Sequence, residues 1–98
     1  MPAVARNGDP TTTGHGCDGT TTVTGPSGDV FVNGIGVERQ GDPTSPHTIK
    51  CGNSCVPHGA VINAGSGTVF INNKPIARVG DSADGGAITA GSGNVFAG

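Results

Sequence analysis

The chain has 98 residues, a formal charge of −2, and an unusual supply of turn formers, with glycine at 19 positions and proline at 7. Its only aromatic residues are Phe31, Phe70 and Phe96, so apolar bulk is scarce and a metal, a disulfide or a partner is needed to hold such a domain together. The acidic balance, with no basic block, excludes nucleic acid and anionic membrane surfaces as partners, and no apolar run approaches the roughly 20 residues of a membrane span.

Residues 1–6 lack the charged and apolar regions of a secretory signal, so synthesis in the cytoplasm is expected, with any export by another machine. Val4-Ala5-Arg6 reads as a β-strand running into Gly8-Asp9, and a loop with His15-Gly16-Cys17 follows. A Thr/Val strand over 20–24 meets the turn Gly25-Pro26-Ser27-Gly28, then a strand around Val30-Phe31. Asn33-Gly34 between apolar stretches predicts a tight hairpin, because both central residues of a type I′ turn need positive φ. The return strand carries Val37-Glu38-Arg39 and ends at Gly41-Asp42. A second loop holds His47, Cys51, Cys55 and His58. A strand over 60–64, the turn Gly65-Ser66-Gly67, Val69-Phe70 and the hairpin residues Asn72-Asn73 repeat the same order. Pro75-Ile76-Ala77-Arg78 leads to Gly80-Asp81, a third loop offers Asp84, and a last strand over 87–90 precedes Val95-Phe96. No segment has a helical period.

Two blocks therefore occur three times. Arg-x-Gly-Asp begins at Arg6, Arg39 and Arg78, each with an apolar residue two positions earlier, and Ser-Gly-x-Val-Phe begins at Ser27, Ser66 and Ser92. The first two copies align at an offset of 39 residues and the last two at 26, which lays His58 over Asp84. The third unit stops after Val95-Phe96, where a return strand should begin, while the first starts with a return strand that has no partner. The expectation is one all-β domain over residues 1–98, three pseudo-repeats closed around an axis, with the N-terminal strand completing the third. Closure also removes exposed strand edges.

Because the return strands end at Asp9, Asp42 and Asp81, the loops beyond them gather at one end of such a cone. Three histidines and three cysteines lie in two of those loops, a set that suggests a metal more than a disulfide framework. Structural zinc takes four His or Cys donors in a closed tetrahedron. The expected ligands are His15, His47, Cys51 and His58, with Cys17 and Cys55 as competitors for the thiolate place. Asp84 is a further donor in the third loop, iron is the alternative metal, and a Cys51–Cys55 disulfide is the lesser alternative. The repeated Arg and Asp are expected to bond to backbone or to each other, and no catalytic residue is expected.

The string Val-Phe-Ile-Asn-Asn-Lys-Pro-Ile-Ala-Arg-Val-Gly-Asp over 69–81, with Val4-Ala5-Arg6 and Val37-Glu38-Arg39 as weaker copies, resembles the PAAR-repeat proteins over essentially the whole chain. The departures are Gly36-Val37-Glu38 in the second copy and Asp84 where relatives carry Cys or His. The resemblance implies a small pseudo-threefold cone with a zinc-stapled apex, seated one per trimer on a β-helical spike. Such spikes are the VgrG proteins of type VI secretion systems and those of contractile phage tails. It further implies assembly at the tip of the injection apparatus, transient contact with the target membrane, expulsion into the target, and carriage of effector proteins. Two other readings compete: a stand-alone zinc-stabilised binding module, and a zinc hydrolase. The hydrolase would need an open coordination position and a general base, and Glu38 is the only glutamate on offer.

Overall fold

The computed structural model describes all 98 residues, Met1–Gly98. It contains ten short strands and no helix. In chain order they are β1 (Pro10–Thr12), β2 (Thr20–Thr22), β3 (Phe31–Val32), β4 (Ile35–Gly36), β5 (His47–Cys51), β6 (Ser54–His58), β7 (Phe70–Ile71), β8 (Lys74–Pro75), β9 (Ser82–Ala83) and β10 (Gly86–Ala87). They pair antiparallel as β1–β2, β3–β4, β5–β6, β7–β8 and β9–β10, and single bridges join these ladders into a tapering cone, 41 × 24 × 21 Å.

Local chemistry sets the turns. In the β3–β4 hairpin Asn33 and Gly34 have φ of 55° and 74°, and in β7–β8 Asn72 and Asn73 have 54° and 65°. Asn tolerates the left-handed region better than other side chains, as these turns require. Each Arg-x-Gly-Asp block is a reverse turn closed by the Asp amide on the Arg carbonyl, at 3.0 Å in all three copies. Its third residue is Gly8, Gly41 or Gly80, with φ of 88°, 94° and 91°, the value a type II turn demands there. The Asp carboxylate then accepts from the Arg backbone amide at 2.8 Å and from its guanidinium Nε at 3.1, 2.9 and 3.0 Å.

The threefold relation is carried by backbone hydrogen bonds. Phe31 pairs with Gly36, Phe70 with Pro75, and Phe96 with Ala3, so the N-terminal segment lies beside the C-terminal one. The return strands close a ring in which Ala5 N–H donates to Ala77 O (2.9 Å), Glu38 N–H to Ala5 O (3.1 Å) and Ala77 N–H to Glu38 O (3.0 Å). One layer up, the amides of Gly8, Gly41 and Gly80 donate to Val23, Ile62 and Ile88, each at 2.8 Å.

Strand alternation splits the core into two layers on either side of this ring. Val4, Val37, Ile76 and Ala97 form the lower cluster, with Val30, Val32, Val69 and Ile71 packed against it. Ala5, Ala77, Val23, Ile62, Ile88 and Ala83 form the upper one. Below them Ser27, Ser66 and Ser92, each 2% exposed, bond across the units. Ser27 Oγ reaches Asn72 Oδ1 and Ser92 Oγ reaches Asn33 Oδ1, both at 2.7 Å, and Ser66 Oγ reaches the Gly98 carbonyl.

The second of the three loops that follow the Gly-Asp turns is not irregular. It forms the β5–β6 hairpin, five residues on each side, turning at Gly52-Asn53 and exposed from Lys50 through Pro57. Ile49 faces Val56 across it, and Gly52 has a φ of 61°, so the short-range hairpin signal is present in the sequence.

Candidate metal centre

Beyond the upper core layer the three loops converge on four side chains, His15, His47, His58 and Asp84, whose donor atoms all lie within 4.8 Å of one another. The β5–β6 register pairs His47 directly with His58, which brings those two rings together at the foot of the hairpin. His15 follows β1 on the first loop, where a side chain on Gly14 would run into the backbone of Gly85. That close approach sets the first loop against the turn between β9 and β10. Asp84 occupies this turn with a φ of 54°, held by Asp84 N–H to Val61 O (3.2 Å), Gly85 N–H to Thr13 O (2.8 Å) and Asn63 Nδ2 to Asp84 O (2.9 Å).

The three imidazoles form a nearly equilateral triangle, with ring centroids 5.0–5.1 Å apart. Their Nε2 atoms face the carboxylate: His15 at 2.7 Å, His47 at 2.9 Å and His58 at 3.3 Å from Asp84 oxygens, and His15 Nε2 is 3.2 Å from His47 Nε2. The opposite nitrogens of two rings are tied to backbone. His47 Nδ1 bonds to the Ser45 carbonyl (2.8 Å) and His15 Nδ1 to the Gly16 carbonyl (3.1 Å). A carbonyl only accepts, so Nδ1 carries a proton in both; Nε2 donates to the Asp84 carboxylate when it too is protonated and offers a lone pair once that proton is lost. Such outer bonds are how metal-binding histidines are oriented.

Once the Nε2 protons are lost, the lone pairs of at least two imidazoles and a carboxylate, pressed together, call for a cation between them. A tetrahedral ion with bonds of about 2.0–2.2 Å spaces its donors roughly 3.3 Å apart, close to the separations seen. The residues therefore fit a four-coordinate metal. Protons compete for the same lone pairs. The Gly16 carbonyl and then Asp84 raise the His15 pKa, against desolvation. Burial opposes ionisation of Asp84, yet hydrogen bonds from the three histidines hold it below the usual carboxylate range.

The structure thus brings together three of the four residues singled out from the sequence. Cys51 lies elsewhere: it pairs with Ser54 at the far end of the β5–β6 hairpin, four residue pairs beyond His47–His58, and is an exposed free thiol. At about 3.3 Å per residue that is roughly 13 Å away, beyond the reach of a cysteine side chain. Its two competitors are joined in a Cys17–Cys55 disulfide, Cα atoms 5.9 Å apart, in place of the Cys51–Cys55 alternative. This disulfide ties the first loop to the hairpin, together with the Cys17–Ile49 bridge and Asp18 Oδ2, which accepts from Thr48 N–H and Oγ1–H at 2.8 Å. The fourth donor facing the histidines is Asp84, and the 26-residue register that lays it over His58 is the signal that points to it.

Glu38 is also placed differently from what a general base requires. It is fully buried in the cone wall, in the ring with Ala5 and Ala77. The three Arg–Asp pairs are structural, each bonding within its own turn. No helix is long and apolar enough to cross a membrane.

A search of curated proteins returns no match. The sequence profile of the family described as the PAAR motif matches residues 7–88 and, in an overlapping second match, 52–98. These spans take in two of the three Arg-x-Gly-Asp turns and all four converging side chains, and the chain belongs to the PAAR-motif family.

Proposed function

We propose that the protein is a structural cap on the end of a trimeric β-helical spike, pointed by one zinc ion bound to His15, His47, His58 and Asp84. The observation that carries this reading is the ring of return strands, which gives a single chain three nearly equivalent faces. A spike of three identical chains offers three equivalent strand ends, and a cap of this symmetry meets each in the same way. Phe31, Phe70 and Phe96 support it. They occupy equivalent positions on the two base hairpins and in the Ala3–Phe96 pairing and are 57%, 55% and 48% exposed, an unusual exposure for large apolar side chains placed in a symmetric set. Strand addition to the open end of the β-helix would supply backbone hydrogen bonds.

Under this reading the metal is mechanical. Four protein donors complete a tetrahedron, leaving no position for the bound water that a zinc hydrolase needs. The ion joins three loops that share little apolar core, so its binding energy is folding energy for the point. Assembly at the tip of a secretion apparatus or phage tail, piercing of a target membrane and carriage of effectors belong to the same proposal.

Co-purification with the β-helical end of a cognate spike tests it. The wild-type cap is expected to bind, and Phe31→Asp/Phe70→Asp/Phe96→Asp to lose binding while keeping its metal and its fold. A wild-type chain that stays monomeric beside the spike, with metal bound, would favour the stand-alone binding module.

A further inference from the structure

Glu38 is the one glutamate in the chain, and the repeat register sets it level with Ala5 and Ala77. These three residues close the backbone ring around the axis, and Ala5 and Ala77 pack into the upper apolar cluster with Val23, Ile62 and Ile88. A ring of this size has room for one long side chain; alanine at the other two places leaves that room. Glu38 takes it. Its relative exposure is 0%, and neither carboxyl oxygen has a hydrogen-bond partner.

The surrounding charges are already committed. On the same strand Arg39 forks onto Asp42 through Nε and Nη2, both at 2.9 Å, and sends Nη1 to Asn72. On the neighbouring return strands Arg6 is bound to Asp9 and Arg78 to Asp81. The segments that bring Val23, Ile62 and Ile88 against the ring, residues 20–24, 60–64 and 86–90, contain no titratable residue. An ionised carboxylate in this layer would have no partner, whereas the neutral acid leaves only a hydroxyl and a carbonyl unsatisfied.

We propose that Glu38 is a proton-operated lock: the closed ring holds it as the neutral acid, and loss of that proton loosens the cone. Burial first, then Asp42, raise the Glu38 carboxyl to about 8; Arg39 pulls against them, and Asp9 adds a lesser push upward. In the unfolded chain it ionises near 4.5. Between those values the folded state binds the extra proton. The stabilisation is therefore complete below the unfolded pKa and is lost as pH rises through the folded one. The cone is tightest in mildly acidic surroundings and slackens in alkaline ones.

Because no other glutamate is present, selective ¹³C labelling of glutamate yields a single side-chain carboxyl resonance from the folded, metal-loaded protein. The expected titration midpoint lies near 8. A midpoint near the ordinary glutamate value overturns the proposal. Thermal melting gives a second readout. From about pH 5 to about pH 9 the wild-type melting temperature should fall on the order of 10 °C further than that of Glu38→Gln. Glu38→Ala, which copies the other two repeats, serves if the glutamine variant does not fold. Comparison with a variant cancels every pH-dependent contribution that the two proteins share. Parallel pH profiles for wild type and variant would also overturn the lock.

Discussion

At the base of the cone, three units repeat the same contacts: the turn bonds agree at 3.0 Å, and the layer bonds of Gly8, Gly41 and Gly80 agree at 2.8 Å. At the apex no two loops are alike. The first is an irregular loop tied by a disulfide, the second a five-pair hairpin, the third a two-residue turn, and they supply one, two and one donors to the cluster. The base is held by backbone ladders and small apolar side chains, which any unit can contribute equally. The apex has almost no apolar core and depends on individual side chains. Under the proposed function, repetition suits a surface that faces three equivalent partners, and asymmetry suits a point where a single ion has one coordination sphere to fill.

This contrast predicts unequal sensitivity to mutation. The largest effect belongs to the donors. His47→Ala, at a side chain 2% exposed, should abolish metal binding and lower the melting temperature on the order of 20 °C. Metal analysis and calorimetry check it; retained metal would remove His47 from the set. The disulfide comes next. Cys17→Ser should cost about 2–4 kcal/mol, since the bridge closes a separation of 38 residues, yet leave one metal per chain. Reduction by a thiol should do the same, because no thiolate faces the histidines.

At the base the prediction is sameness. Gly8→Ala, Gly41→Ala and Gly80→Ala each place a Cβ at positive φ in a type II turn, and each should cost about 1 kcal/mol. Denaturant melts that separate the three by more than about 1 kcal/mol would break the claim of equivalent units. Smallest of all, Cys51→Ser should change stability by less than about 0.5 kcal/mol and leave metal content unchanged. Loss of metal in that variant would restore a thiolate to the coordination sphere.

Much of the base was legible in the sequence because its determinants are local. Asn33-Gly34, Asn72-Asn73 and the three Arg-x-Gly-Asp turns announce their own backbone conformation, and the spacing of Val, Ile and Phe follows from strand alternation. The apex was half legible. Three histidines in a core-poor chain point to a shared ion, and His15, His47 and His58 do meet. Which fourth donor joins them depends on how loops approach in space, and the β5–β6 register, by carrying Cys51 to the hairpin tip, was the hidden variable. The Gly52-Asn53 turn between Ile49 and Val56 was the available clue. Cysteine pairing was equally non-local, since Cys17 and Cys55 meet across 38 residues of chain. Glu38 is concealed by its strand, and only its alignment with Ala5 and Ala77 signals a crowded axial position.

The central claim, that one asymmetric point sits on a threefold base built to meet a trimer, is tested most directly by native mass spectrometry of the cap bound to its spike. The account predicts one 9.5 kDa chain and one zinc ion for every three spike chains. Three caps per trimer, or a cap bound without metal at full affinity and stability, would contradict it.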